Sequence, residues 1–291
     1  MEALIQKPEF RKSLEGMSKA AQAQARYRWD IWARPNQIEP EGTHRYWLIL
    51  AGRGFGKTRA GVEWVRAQIE SGKSTRAIVV APTSADCRDT IVEGVSGFMS
   101  VCPPWDKPLY EPSKRRLTWK NGATVSLYSA EEPDRLRGVN CDLMLADELA
   151  AWTQPVAWDM AMFALRIGKN PRAMITTTPR PTRLIRNLID NPETMINRGS
   201  TYDNRDNLAP QFLDAIVKRY EGTRMGRQEI YAEVLEDVEG AILSLDQLAE
   251  LRVQEPEEPQ RIVIGVDPAA SSGEEADMTG IVVSSKGTDG H

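Results

Sequence analysis

The segment that most restricts the fold of this chain is Ala51-Gly52-Arg53-Gly54-Phe55-Gly56-Lys57-Thr58. It follows the apolar run Tyr46-Trp47-Leu48-Ile49-Leu50. After it, Ala60, Trp64, Val65, Gln68 and Ile69 recur at helical spacing until Gly72. A strand passing through a glycine-rich turn into a helix that opens with Lys-Thr is built to hold phosphate. Backbone N–H groups around Gly52, Gly54 and Gly56 can close on the phosphate. Lys57 can reach the outer phosphates, and the Thr58 hydroxyl can ligate Mg²⁺. Arg53 and Phe55 complete the stretch expected to contact nucleotide. The usual pattern begins with glycine, and Ala51 in its place narrows the allowed backbone angles.

Such a unit demands a sheet to sit in. Ala77-Ile78-Val79-Val80-Ala81 is apolar throughout, as befits a strand buried on both faces of a parallel sheet. Leu117 to Trp119, Lys120-Asn121-Gly122 and Ala123 to Tyr128 predict a hairpin with an Asn-Gly turn. Leu143 to Ala146 and Ala173 to Thr177 supply two further core strands. The alternation predicts an α/β domain over residues 1–180, with a helical lead-in up to about residue 45. Residues 181–258 carry helical patterns at 182–190, 210–220 and 224–236, few strand signals, and an acidic linker, Glu255-Pro256-Glu257-Glu258-Pro259. Over 259–291, strands at Arg261–Asp267 and Thr279–Ser284 are too few to stand alone and read as the start of a truncated domain.

The length of 291 residues, 41% of them hydrophobic and 27% charged, suits a globular protein of one or two domains. A net charge of −4 excludes coating nucleic acid by bulk charge, though not by local patches. Cys87, Cys102 and Cys141 match no metal or disulfide spacing, which fits a reducing compartment. With only His44 and His291, histidine catalysis and zinc binding are excluded as main readings. The start, Met-Glu-Ala-Leu-Ile-Gln-Lys, lacks the apolar core of a signal peptide, and no run reaches transmembrane length. A soluble intracellular protein is expected.

The second chemical signal is Leu143-Met144-Leu145-Ala146-Asp147-Glu148, an apolar strand ending in two carboxylates about 90 residues after the loop. This is the form of a Walker B motif: Asp147 holds Mg²⁺ and Glu148 polarises the water that attacks the γ-phosphate. Just upstream, Arg135-Leu136-Arg137-Gly138 places Arg137 beside a flexible glycine, where it can reach a neighbour's phosphate. Arg53 is a rival acting in cis, and Arg135 reads as a solvated loop residue. Thr176, Thr177 and Thr178, before Pro179, stand where strand-end hydroxyls can sense the phosphate, although threonine favours strands anyway. Gln37 can offer its amide to an adenine edge or be plain polar surface. Lys114-Arg115-Arg116 with Lys120, and Arg180, Arg183 and Arg186, are either DNA-backbone contacts or solvated faces. Asp267, before Pro268 to Gly273 and with Asp277 further on, sits where two-metal nucleases place a ligand.

Together Trp32-Ala33-Arg34-Pro35-Asn36-Gln37, the Arg-bearing loop 51–58, Arg135–Gly138, Ala146-Asp147-Glu148, Thr177-Thr178-Pro179 and Gly265-Val266-Asp267-Pro268 resemble the large terminase subunits of tailed bacteriophages and gene transfer agents. The resemblance spans nearly the whole chain. It implies a P-loop NTPase domain of RecA/ASCE type, a small helical linker subdomain, and the first hairpin of an RNase H-like nuclease domain. The activity it implies is ATP- and Mg²⁺-dependent pumping of double-stranded DNA into a procapsid, with cleavage of concatemers. Implied partners are the portal protein, a small terminase subunit and further copies in a five-membered ring, in the host cytoplasm and away from membranes. By the same resemblance Gln37 reads adenine and Thr176 to Pro179 couple hydrolysis to movement. Arg137 serves the neighbouring subunit, and Asp267 is the first nuclease carboxylate. A helicase-like ATPase and a nucleotide-gated assembly switch are the alternatives. The first lacks a second phosphate loop, and the second has no need of Glu148. Because the other nuclease carboxylates would lie beyond His291, the chain as it stands is expected to leave plasmid DNA intact with Mg²⁺ or Mn²⁺; nicking in a gel assay would refute this.

Overall fold

The apolar runs pair into one eight-stranded sheet. In the computed structural model, which describes residues 16–220, 223–233, 251, 258–268 and 280–288, the strands are β1 (Tyr46–Ala51), β2 (Arg76–Ala81), β3 (Leu109–Glu111), β4 (Arg116–Thr118), β5 (Thr124–Ser129), β6 (Leu143–Ala146), β7 (Arg172–Thr177) and β8 (Thr194–Gly199). Their order is β3-β4-β5-β2-β6-β7-β1-β8. From β5 to β8 the pairing is parallel, and β3 and β4 add an antiparallel edge. Central parallel strands are covered on both faces, so they are apolar at every position. All six residues of β1 and all four of β6 are buried. β5, beside the antiparallel edge, alternates buried and half-buried residues.

Successive β1 side chains feed two cores. Trp47, Ile49 and Ala51 pack with Ala60, Trp64, Val65 and Ile69 of the helix Lys57–Glu70. Tyr46, Leu48 and Leu50 pack on the other face with Ala157, Trp158 and Ala161 of the helix Val156–Ala164, and with Ile185 and Leu188 of the helix Arg183–Asp190. Trp47 and Trp64 meet edge to face, 6.1 Å apart. Each fully buried side chain of this size contributes about 1.5–3 kcal/mol, which makes the helix–sheet–helix sandwich the main source of stability.

The register sets the working end of the sheet. Ile175 of β7 pairs with Leu48 of β1 on one side and Ala146 of β6 on the other. The C-terminal ends of these three strands therefore lie side by side at one edge of the sheet, β6 stopping two residues short of β7. The phosphate loop leaves β1, the acidic pair leaves β6, and the threonines of β7 lie between. One strand between the phosphate-loop strand and the acidic strand is the ASCE arrangement.

Two expectations change. The sheet does not end near residue 180, because β8 adds a further parallel strand beside β1. Its sequence, Thr-Met-Ile-Asn-Arg-Gly, has no continuous apolar run: it is an edge strand of half-buried and exposed residues, and Asn197 accepts a hydrogen bond from the Trp47 indole at 3.2 Å. The helix Arg183–Asp190 precedes it, and helical structure resumes beyond it with the 3₁₀ segment Thr201–Asn207 and helices Pro210–Tyr220 and Arg224–Glu229. The described helix at 224 stops at Glu229, and residues 234–236 lie outside the described residues. So do the N-terminal heptapeptide, Glu255 to Glu257, Ala269 to Gly273 and Asp277. The lead-in is helical at Lys19–Ala25, Trp29–Trp32 and Pro35–Gln37, and the Asn-Gly hairpin joins β4 to β5, as expected.

By contacts the chain divides into two units, Met1–Val238 and Glu239–His291. The second holds the expected hairpin, β9 (Pro259–Asp267) antiparallel to β10 (Gly280–Gly287). No helix among the described residues is long and apolar enough to cross a membrane.

The edge strand and the phosphate loop share one tight contact. A Cβ at Gly199 would lie 2.2 Å from Cε2 of Phe55, whose ring is fully buried. Overpacking of this kind costs about 1–3 kcal/mol. Gly199→Ala is therefore expected to lower the thermal unfolding midpoint by several degrees, read by circular dichroism.

Candidate active site

Gly54 and Gly56 adopt φ of 73° and 92°, backbone conformations that L side chains resist, so the loop between β1 and its helix turns back on itself. The carbonyls of Gly54, Phe55 and Gly56 are taken up by donors from outside the loop. Gly54 O accepts from Asn204 Nδ2 at 2.7 Å. Phe55 O accepts from Arg34 Nη2, and from Gln37 Nε2 at 3.3 Å, and the same Nε2 reaches Gly56 O at 3.2 Å. The N–H groups of Gly54, Gly56, Lys57 and Thr58 make no hydrogen bond among the described residues. Unpaired donors at a helix N-terminus form an anion cradle, and their number and spacing suit phosphate.

Lys57 is 6% exposed and turned inward. Its Nζ donates to Ala51 O at 3.0 Å, Gly52 O at 3.3 Å and Thr178 Oγ1 at 3.1 Å, and lies 3.2 Å from Glu148 Oε1. Asp147 is also buried, and its Oδ1 accepts from Thr176 Oγ1 at 2.6 Å and from Thr58 Oγ1 at 3.3 Å. Burial, then the neighbouring Glu148 charge, push its carboxyl up to about 6 against the pull of Thr176, Lys57 and Thr58. Two oxygen ligands this close fit a hard cation such as Mg²⁺. Glu148 has φ 48° and ψ 49°, a left-handed conformation that costs a non-glycine residue about 1–3 kcal/mol. That turn aims its carboxylate back at Lys57 and at the Thr178 N–H, 3.2 Å from Oε2.

The three threonines hold this arrangement. Thr176 Oγ1 accepts from the Glu148 N–H at 3.2 Å while donating to Asp147. Thr177 Oγ1 accepts from the Ala150 N–H at 3.1 Å, and Thr178 touches both Lys57 and Glu148. The sequence placed them at a strand end; the structure places them between the two motifs.

Other candidates lie elsewhere. Gln37 is buried, with its amide bonded to the loop carbonyls and to the Arg34 N–H at 3.2 Å. Arg53 Nε donates to Glu229 Oε2 at 2.6 Å, which raises its affinity for the proton, and its backbone N–H donates to Glu229 O at 2.8 Å. Arg137 is 71% exposed, pairs with Asp134 at 3.0 Å and makes no bond to its own phosphate loop. Arg135 pairs with Glu132. Lys114 and Arg116 share Glu111, and Arg115 pairs with Glu132, whereas Lys120 donates to Trp105 O. Arg180 and Arg183 are exposed and make no ion pair among the described residues, and Arg186 donates to Pro181 O. Asp267 closes β9 opposite Gly280 in the other unit, and the described residues hold no group of three His, Cys, Asp or Glu able to bind a metal. The thiols of Cys87, Cys102 and Cys141 are pushed up to about 12 by burial and are no nucleophiles. Sequence reasoning missed Arg34 as a loop contact, and also Asn204 and Glu229, which reach the loop from more than a hundred residues away.

A family model described as terminase large subunit, T4likevirus-type, N-terminal, matches residues 48–250. No curated protein matches the chain. Among solved structures, the large terminase of bacteriophage HK97 aligns at TM-score 0.56 and 15% identity, over 94% of this chain and 61% of that one. The large terminase of a thermophilic bacteriophage, solved in complex with ADP, aligns at 0.55 and 15%, over 74% of this chain and 53% of that one. The ATPase domain of a Thermus phage large terminase aligns at 0.50 and 16%, over 79% of this chain and 98% of that domain. The chain thus spans a little over half the length of the first two and nearly all of the isolated domain. At these identities the likeness establishes the fold.

The buried Asp147 carboxylate makes a test of its own. Because its folded pKa of about 6 lies above the ordinary 3.8, its ionised form is a burden above pH 6 that fades as pH falls toward 4. In EDTA at pH 7.5, Asp147→Asn is expected to melt higher than the wild type, and the gap to shrink by about half near pH 5 and to close near pH 4. A gap that is independent of pH would contradict this reading.

Proposed function

Because the chain belongs to the terminase large subunits, matched over residues 48–250, we propose that it is the ATP-driven motor that moves double-stranded viral DNA into a procapsid. The observation that carries this reading is the meeting of cradle, Lys57, Asp147 and Glu148 around β7. The unpaired N–H groups and Lys57 take the phosphates of ATP. A phosphate oxygen is a stronger partner for an ammonium than a neutral carbonyl, so Lys57 moves toward it and releases Glu148. Glu148 then orients the attacking water and accepts its proton, with the strained turn keeping the carboxylate on target. Thr58 and Asp147 would hold Mg²⁺, which neutralises charge on the phosphate oxygens. Thr178 feels Lys57 and Glu148 at once, and its strand leads through Pro179 to the exposed Arg180 and Arg183, which we assign to the DNA backbone.

Arg137 is exposed and far from bonding its own loop, which supports delivery to a neighbouring copy's γ-phosphate, within a five-membered ring on the portal in the host cytoplasm. Arginines in this role accelerate hydrolysis by roughly 10³–10⁵. A small terminase subunit selects the DNA, and Asp267 joins further carboxylates in a nuclease centre of the whole protein. The relative from the thermophilic bacteriophage was solved with ADP, which supports a nucleotide as ligand here.

ATPase assays of purified variants test the motor. Glu148→Gln is expected to bind ATP and lose about 10²–10⁴ in turnover. Arg137→Ala is expected to be slow alone, and a mixture of the two to exceed the average of its components, since in a mixed ring the intact Glu148 of an Arg137→Ala subunit receives the Arg137 of a Glu148→Gln neighbour. No recovery on mixing would refute action in trans. Binding with undiminished affinity but negligible wild-type turnover would favour an assembly switch, and strand displacement a helicase.

A further inference from the structure

We propose that Asn204 and Arg34 are positioning residues of the nucleotide site, setting which way the peptide units of the phosphate loop face. The inference rests on the reading of that loop as a nucleotide cradle and adds the residues that keep it in binding form.

In a trans peptide unit the C=O of one residue and the N–H of the next point in opposite directions. A carbonyl held outward therefore aims the following N–H inward. Asn204 Nδ2 on Gly54 O, at 2.7 Å, governs the Phe55 N–H, which within the loop has only a long contact with Gly52 O, at 3.4 Å. Arg34 on Phe55 O governs the Gly56 N–H. Gln37, by its reach to Gly56 O, governs the Lys57 N–H. Glycines at 54 and 56 leave these units little resistance of their own to flipping, so the orientation has to be imposed from outside.

The imposing groups are themselves fixed. Arg34 Nη1 donates to Asn204 Oδ1 at 2.7 Å, and arginine has no acceptor, so Asn204 must present its amide nitrogen to Gly54. Asn207 Nδ2 donates to the same oxygen at 3.0 Å. The Arg34 guanidinium lies 4.8 Å from the centre of the Phe55 ring, and Leu208 covers Gly54. The 3₁₀ segment carrying Asn204 is anchored in turn, Asp203 Oδ2 accepting from the Ser200 N–H at 2.9 Å. Two stretches of chain, 34–37 and 200–208, thus act on three consecutive carbonyls.

Asn204→Asp is nearly isosteric and keeps the acceptor for Arg34, but it sets a carboxylate oxygen against Gly54 O. It is expected to weaken ATP binding at least tenfold, seen as a higher Kd by calorimetry and a higher KM. Turnover at saturating ATP should stay within about threefold, and the melting midpoint within about two degrees, of wild type. Arg34→Lys, which keeps the charge and loses the fork, should do the same, and the double variant should lose less than the product of the two. Should Asn204→Asp fail to fold, Arg34→Lys carries the test. Wild-type affinity in a folded Asn204→Asp, or a lowered melting midpoint with unchanged KM, overturns the proposal alone. A wild-type chain that binds no ATP overturns the nucleotide reading, and this proposal with it.

Discussion

An ammonium and a carboxylate are buried side by side: Lys57 at the start of the helix that follows β1, and Asp147 just beyond the end of β6, a strand that does not touch β1. Either charge alone in such a place would cost several kcal/mol. The strand between them answers with side chains that bond both ways. Thr176 serves Asp147, Thr178 serves Lys57, and Glu148 closes the circuit from the far side. The threonines are short enough to fit between the strand ends and polar enough to replace water. The strand order, the register of β7 against both neighbours and the left-handed turn at Glu148 together bring the members of this cluster within bonding distance.

The same cluster explains why the site can respond to a ligand. Lys57 is held by several moderate contacts, two of them to neutral carbonyls, and Glu148 by one cation and one N–H. None of these is so strong that a phosphate could not displace it. The outer wall of the loop is of another kind, with its carbonyls fully engaged by side chains on fixed segments. A rigid outer wall and an exchangeable interior let the loop keep its shape while its charges change partners.

How much of this could be read beforehand follows from the range of each interaction. β1, β2, β6 and β7 were legible because burial on both faces leaves an unbroken apolar run. Lys57, Thr58, Asp147 and Glu148 were legible because the chemistry needs those types at strand ends. β8 was not, since an edge strand has one neighbour and tolerates Asn197 and Arg198. The bonds of Gln37 to the Phe55 and Gly56 carbonyls are not legible in the sequence, because a glutamine reads the same whatever its amide meets until the fold brings Phe55 beside it. Asn204 and Glu229 meet the loop across 150 and 176 positions, where no local pattern reaches.

The contact between Phe55 and Gly199 ties the phosphate loop to the edge strand. The ring fills the space that a side chain on β8 would need, so bulk can be added at 199 only where it is taken away at 55. A substitution at either position is therefore felt at the other, and a change of size inside the loop acts on the sheet edge as well as on the cradle.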